Sequence, residues 1–385
     1  MPPIHVLIKP ASSACNMACR YCFYRDVAAH REHAFEGMLT LEQMERVIRA
    51  GMEYADHLCT FSFQGGEPTL AGLEFYRQTV ELQRRYARPG VKIQNAIQTN
   101  GYLMDEEWAL FFAENNFLVG VSLDGPAEIH NRNRVDTAGS GTFNRTMRTT
   151  RLLKKYHVDF NILCVVTGGN ARAAEKLYRF YRKQDFRWLQ FIPCLEPMGQ
   201  TRGREKYDLS AQGYGEFLIR LFDLWYADLC QGEFISIRHL DNWISILLGK
   251  QPEACNMAGQ CTIQFVVEGD GSVYPCDFYV LDEWRMGTIE GMGFAEMREG
   301  PPAGRFLKAS LHIPEQCRSC RWYRLCRNGC RRERTVLPDG NVGINIYCES
   351  YQRFFTEREG QLRNAARMIS NIYNDPLLPP KRRMI

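Results

Sequence analysis

The chain has 385 residues, 45% of them hydrophobic, enough to bury more than one core and to suggest two or three domains. Its 48 basic and 44 acidic residues are largely interspersed, leaving a net charge of +4 with small basic knots at residues 331–334 and 381–383, so a nucleic-acid surface is not indicated. No apolar stretch is long enough for a bilayer and the start Met-Pro-Pro-Ile-His is unlike a signal peptide, so the fifteen cysteines point to metal ligation in a reducing cytoplasm rather than to disulfides.

In chain order, short β-rich runs alternate with helical patterns through the first 200 residues: 4–8, 58–63, 92–98, 117–123, 158–166 and 187–192. Start signals mark the helices between them, Thr40 with Gln43 as a capping box and Asp105 ahead of Glu106, Glu107 and Trp108. Six successive βα units predict a parallel sheet curled into a partial barrel, with ligands gathered at the carboxyl ends of the strands and a side opening for a large substrate.

The loops after these strands carry the unusual residues. After the first come Cys15, Cys19 and Cys22, spaced Cys-x3-Cys-x2-Cys. Three thiolates hold three irons of a 4Fe-4S cube and leave the fourth open to a small-molecule ligand, whereas a structural zinc or closed cluster fills every position. After the second comes Gln64-Gly65-Gly66-Glu67-Pro68, where two residues without side chains let backbone groups approach a ligand. The third ends Gln98-Thr99-Asn100-Gly101 and the fourth Ser122-Leu123-Asp124-Gly125, each offering polar groups at the rim. Cys59, Cys164, Cys194 and Cys230 lie in or beside predicted strands and a helix and read as small buried hydrophobes.

Beyond Gly199 the pattern changes. A charged linker and two amphipathic stretches, 214–229 and 237–248, occupy a segment taken as 201–254, followed by a cysteine-rich domain over 255–350 and a C-terminal helix and tail over 351–385. The domain holds Cys255, Cys261, Cys276, Cys317, Cys320, Cys326, Cys330 and Cys348, with a hairpin turn at Gly269-Asp270-Gly271 between the second and third. Eight ligands fill two cubes completely, although spacing alone does not say which cysteines share a cube, and zinc ribbons use similar arrays. Asp277 follows Cys276 directly, tying a carboxylate to a cluster ligand, where a base would take a proton while the cluster takes an electron.

The Cys-x3-Cys-x2-Cys run resembles the radical S-adenosylmethionine superfamily, and Cys261, Gly271, Cys276 and Cys317-x2-Cys320-x5-Cys326-x3-Cys330 with Cys348 resemble its SPASM extension. Together with the start His5-Val-Leu-Ile-Lys-Pro, the Gly65-Gly66-Glu67-Pro68 loop and the Pro275-Cys276-Asp277 corner, residues 5 to about 365 resemble the anaerobic sulfatase-maturating enzymes. The resemblance implies a partial (βα)6 TIM-like barrel with a C-terminal SPASM domain, and three 4Fe-4S clusters, one binding S-adenosylmethionine and two auxiliary. It implies Cys255, Cys261, Cys276 and Cys330 around one auxiliary cube, and Cys317, Cys320, Cys326 and Cys348 around the other. Gly66, Ser122, Arg134, Leu195 and Tyr21 are implied as cofactor contacts, and Asp277 as general base. Tyr24 and Gln64 are placed near the cofactor, where they would help seat the peptide.

The implied reaction is oxidation of a cysteine or serine in an unfolded sulfatase to formylglycine, through hydrogen abstraction by the 5′-deoxyadenosyl radical. A flavodoxin- or ferredoxin-like protein would donate the electron. Two other readings share these features: maturation of another ribosomal peptide, for instance by thioether cross-linking, and an iron-sulfur electron carrier. The eight auxiliary cysteines weigh against the first, and the glycine loop beside an open cluster weighs against the second.

Overall fold

The computed structural model describes residues 3–199 and 203–374. The expected tail beyond residue 374, with its basic knot at 381–383, lies outside the described residues. Six parallel strands form the barrel wall: β1 (Ile4–Ile8), β2 (Leu58–Phe63), β3 (Lys92–Thr99), β4 (Leu118–Ser122), β5 (Phe160–Val166) and β6 (Trp188–Pro193). Helices α1 (Phe23–Ala29), α2 (Leu41–Tyr54), α3 (Leu73–Tyr86), α4 (Glu106–Glu114), α5 (Ala127–Asn133), α6 (Phe143–Lys155) and α7 (Ala174–Lys183) lie between them. The capping box of α2 is formed by Thr40 and Gln43, and the Asp105 side chain accepts from Trp108 N at the start of α4.

Alternation along each strand sorts the side chains. Val6, Ile8, Phe61, Phe63, Val119, Val121, Ile162, Val166 and Leu189 are buried in the main core. Cys59 and Cys164 share that face and are buried, as small apolar residues there should be. Residues of the opposite parity, among them His5, Ser62, Gln98, Asn161 and Gln190, are polar and less buried, so the barrel interior is wet. Cys194 is buried, but Cys230, expected to be buried too, is exposed as the last residue of α8 (Ala211–Cys230), while Leu229 beside it stays in the core.

The sheet continues at both edges into a ten-stranded whole. β7 (Ser236–Ile237), leading into α9 (Arg238–Leu247), extends it beside β6. On the other side β8 (Val266–Val267) pairs parallel with β1, followed by antiparallel β9 (Ser272–Tyr274) and β10 (Gly287–Thr288). The cysteine-rich region is therefore joined to the barrel through backbone hydrogen bonds, including Lys9 N to Val267 O at 2.8 Å. A separate hairpin, β11 (Arg334–Val336) with β12 (Val342–Asn345), precedes the helix Cys348–Asn374, which packs on α8 and α9. Among the described residues no helix is long and apolar enough to cross a membrane.

Candidate active site and cluster sites

The loop after β1 presents Cys15, Cys19 and Cys22 at the carboxyl end of the sheet. It is tied down by Ala18 N to Val135 O at 2.8 Å and Arg20 N to Asn133 O at 3.0 Å. Burial, reinforced by the neighbouring thiols and partly offset by local hydrogen bonds and by Arg134, pushes Cys15 up to about 12 and Cys19 to about 11. Thiols this reluctant to ionise become ligands when a metal supplies the compensating positive charge. Among the described residues no three His, Cys, Asp or Glu converge as ligands of one ion would. The all-thiol donor set suits a multi-iron cluster.

Two carboxylates bind the surrounding loops together. Glu67, fully buried, accepts from Asn100 N at 2.8 Å and from the hydroxyls of Thr99 and Thr69, both at 2.7 Å, so the loops after β2 and β3 share one anchor. Asn100 reaches back from it to the Asn16 side chain at 2.8 Å. Asp124, also buried, accepts from Tyr21 Oη and Val165 N and pairs with Arg134 at 3.1 Å. Arg134 stands over the Tyr21 ring, 5.5 Å from its centroid, beside Cys19. Two residues read as cofactor contacts therefore share a resident carboxylate behind the cluster loop. Ser122, the last residue of β4, accepts from Gln98 Nε2 at 3.1 Å, and Leu195 lies in the loop after β6, next to Cys194.

Gly66 packs directly on the cysteine loop. Its N–H donates to Ser12 O at 2.9 Å, and a Cβ built on it would lie 2.0 Å from the Ala14 carbonyl oxygen. Backbone approach this close admits only glycine.

Asp277 sits just beyond β9, 5% exposed. Its Oδ2 accepts from Tyr24 Oη at 2.7 Å and from Gln64 Nε2 at 2.8 Å, and its Oδ1 is buried with no hydrogen-bond partner. Burial raises its pKa; Lys9 and the two hydrogen bonds pull the other way. Lys9 is held by a buried ion pair with Glu268, which Arg31 also binds, at 2.6 Å. The sequence placed Tyr24 and Gln64 near the cofactor; the structure puts both on the carboxylate.

The remaining cysteines gather in two sets. Cys276 lies within electrostatic reach of Cys330 and Cys255, and Cys330 of Cys255 and Cys261. Cys326 is likewise close to Cys348, Cys317 and Cys320, and these four line one cavity. Burial raises the thiols of Cys276 and Cys330 in the first set, and in the second pushes Cys326 up to about 12 and Cys348 to about 11. The first set adjoins Asp277 through Cys276; the second is farther out.

Residues 10–181 match the Radical SAM superfamily, and residues 255–321 match SPASM, an iron-sulfur cluster-binding domain. A cysteine-type anaerobic sulfatase-maturating enzyme of Clostridium perfringens is 49% identical over 370 residues, covering 96% of this chain and 100% of the relative. The chain belongs to the anaerobic sulfatase-maturating enzymes. A serine-type anaerobic sulfatase-maturating enzyme of Bacteroides thetaiotaomicron is 33% identical, covering 92% of this chain and 89% of its own. A solved structure described as native anSMEcpe with bound AdoMet and Cp18Cys peptide superposes with a TM-score of 0.91 at 48% identity, covering 96% of this chain and 100% of that one. This sulfatase-maturating enzyme thus has the radical SAM and SPASM architecture expected of it.

In this sulfatase-maturating enzyme, Gly66→Ala should displace the loop bearing Cys15, because the added methyl meets backbone that has no rotamer to yield. The expected result is at least a tenfold loss of S-adenosylmethionine affinity in the reconstituted protein, measured by equilibrium dialysis, with the auxiliary-cluster iron retained. Wild-type affinity would refute the close packing.

Proposed function

We propose that the enzyme oxidises a cysteine side chain in an unfolded sulfatase polypeptide to formylglycine, and a serine less readily. The carrying observation is Asp277: a buried carboxylate with one oxygen held by Tyr24 and Gln64, the other unpartnered, on the residue after a cluster cysteine. The preference for cysteine is supported by 49% identity to a cysteine-type relative against 33% to a serine-type one.

Cys15, Cys19 and Cys22 hold the first cluster in this reading, and Gly66, Ser122, Arg134, Leu195 and Tyr21 border its cofactor. Bound S-adenosylmethionine supplies the means to abstract a hydrogen atom from the substrate's β-carbon. The rest falls to the chain's own groups. Tyr24 and Gln64 fix Oδ2 so that Oδ1 faces the substrate, and Oδ1 takes the thiol proton. Burial makes that carboxylate a stronger proton acceptor than an exposed aspartate. The Cys255, Cys261, Cys276 and Cys330 set, one residue away, is positioned to receive the electron. Water then replaces sulfur at the oxidised carbon, releasing hydrogen sulfide and leaving the aldehyde.

The test is anaerobic reconstitution with S-adenosylmethionine, reductant and sulfatase-derived peptides differing only in cysteine or serine at the target. Mass spectrometry should find formylglycine in both, faster from cysteine. Cofactor cleavage with both peptides unmodified would overturn the assignment.

A further inference from the structure

The outer cysteine set has its own surface. Cys317, Cys320, Cys326 and Cys348 line a cavity together with Tyr323. Tyr323 also lines an open groove with Gly259, Leu311, Ile313, Arg324 and Arg327, so one residue separates this groove from the cluster ligands. Leu311 is 52% exposed, an apolar spot in a polar surround.

Charge distinguishes the groove. Arginines recur at every third position between the ligands, at Arg318, Arg321, Arg324 and Arg327. Arg318 and Arg321 are paired with Glu315 at 3.5 Å and Glu359 at 2.9 Å. Arg324 and Arg327 have no carboxylate partner among the described residues, and no Asp or Glu lines the groove. A small apolar spot beside unpaired guanidinium groups, one side chain from a redox centre, has the make-up of a transient electron-transfer interface. Such encounters are small and are steered by complementary charge.

We propose that this groove docks an acidic one-electron carrier protein of the flavodoxin or ferredoxin kind, which takes electrons from the outer cluster. The proposal rests on the function above, because oxidising the substrate radical delivers one electron to the auxiliary clusters. Passed to the outer cluster, that electron moves to the oxidised carrier. The carrier ends one electron more reduced, the cluster returns to its resting state, and no bond forms or breaks. The sulfatase polypeptide is the less suitable occupant, since Asp277 adjoins the other cysteine set.

The test uses the reconstituted holoenzyme, chemically pre-reduced and mixed by stopped flow with oxidised flavodoxin while flavin semiquinone is followed. Wild-type transfer should fall steeply as salt rises. Arg324→Glu/Arg327→Glu should be at least about tenfold slower at low salt and nearly indifferent to salt. Arg324→Gln/Arg327→Gln removes the charge without reversing it, keeps the test readable if reversal disturbs the loop, and should fall between. Iron content and formylglycine yield with dithionite as reductant should match wild type, which separates a docking defect from failure of the assigned reaction. Equal transfer rates and salt slopes would overturn the proposal. So would a raised KM for the sulfatase peptide with unaltered carrier kinetics, which would give the groove to the substrate instead.

Discussion

Asp277→Asn should leave cofactor cleavage running and stop product formation: 5′-deoxyadenosine accumulates with peptide present, while formylglycine falls by about 10²–10⁴-fold. The amide keeps the shape of the carboxylate but removes the acceptor at Oδ1, the atom with no partner in the folded protein. A purely structural aspartate would lose both activities together, and chromatography of nucleoside and peptide from one reaction separates the cases. The pH profile should agree. Burial raises the Asp277 pKa and only the ionised form accepts a proton, so product formation should climb with pH through a limb above that of an exposed aspartate. That limb should vanish in the Asn variant.

The second large effect is on stability. Glu268 is fully buried between Lys9 and Arg31, both with buried side chains. Burial alone would raise its pKa, but the two cations hold it at about 2. Glu268→Ala strands the buried Lys9 ammonium and leaves Arg31 only its 3.2 Å pair with Glu36, and should cost about 3–5 kcal/mol, read as a lowered denaturant midpoint. A folded pKa this depressed stabilises the protein fully above the ordinary glutamate value of about 4.3 and progressively less below it, toward about 2. Glu268→Gln, which keeps the volume, should be milder and should lower the pH limb of product formation, because Glu268 raises the Asp277 pKa and Lys9 lowers it. An unmoved limb would show that Lys9 does not govern the base.

The elements legible in the sequence were those whose signals are local. Alternating apolar residues set the six barrel strands to within two residues at either end, and Thr40 and Asp105 marked helix starts through contacts three residues away. The cysteine loop and glycine loop were equally plain, because their chemistry is written in consecutive residues. What stayed hidden depends on partners far apart in the chain. Glu67 reads as part of a motif, yet its role as an anchor appears only when Asn100 and Thr99 reach it. Asp124 reads as one polar group at the rim, and its role as an anchor appears only where Tyr21 and Arg134 converge on it. Glu268 carried no signal at all, since Lys9 and Arg31 lie more than 230 residues earlier. Tyr24 and Gln64 were noticed for their neighbourhood, but their shared hold on Asp277 needs the whole fold.

The pairing of β1 with β8 bears on the order in which the enzyme matures during synthesis. The strand β1 carries the cluster loop, and its neighbour on this side arrives only with residues 266–267. The other barrel strands are already available by then, so this is a late, long-range closure with a correspondingly slow search. A nascent chain halted before that point contains Cys15, Cys19, Cys22 and Gly66 but not Asp277, the base proposed above. Translation itself therefore keeps Asp277 out of the site until synthesis has passed the β8–β9 hairpin.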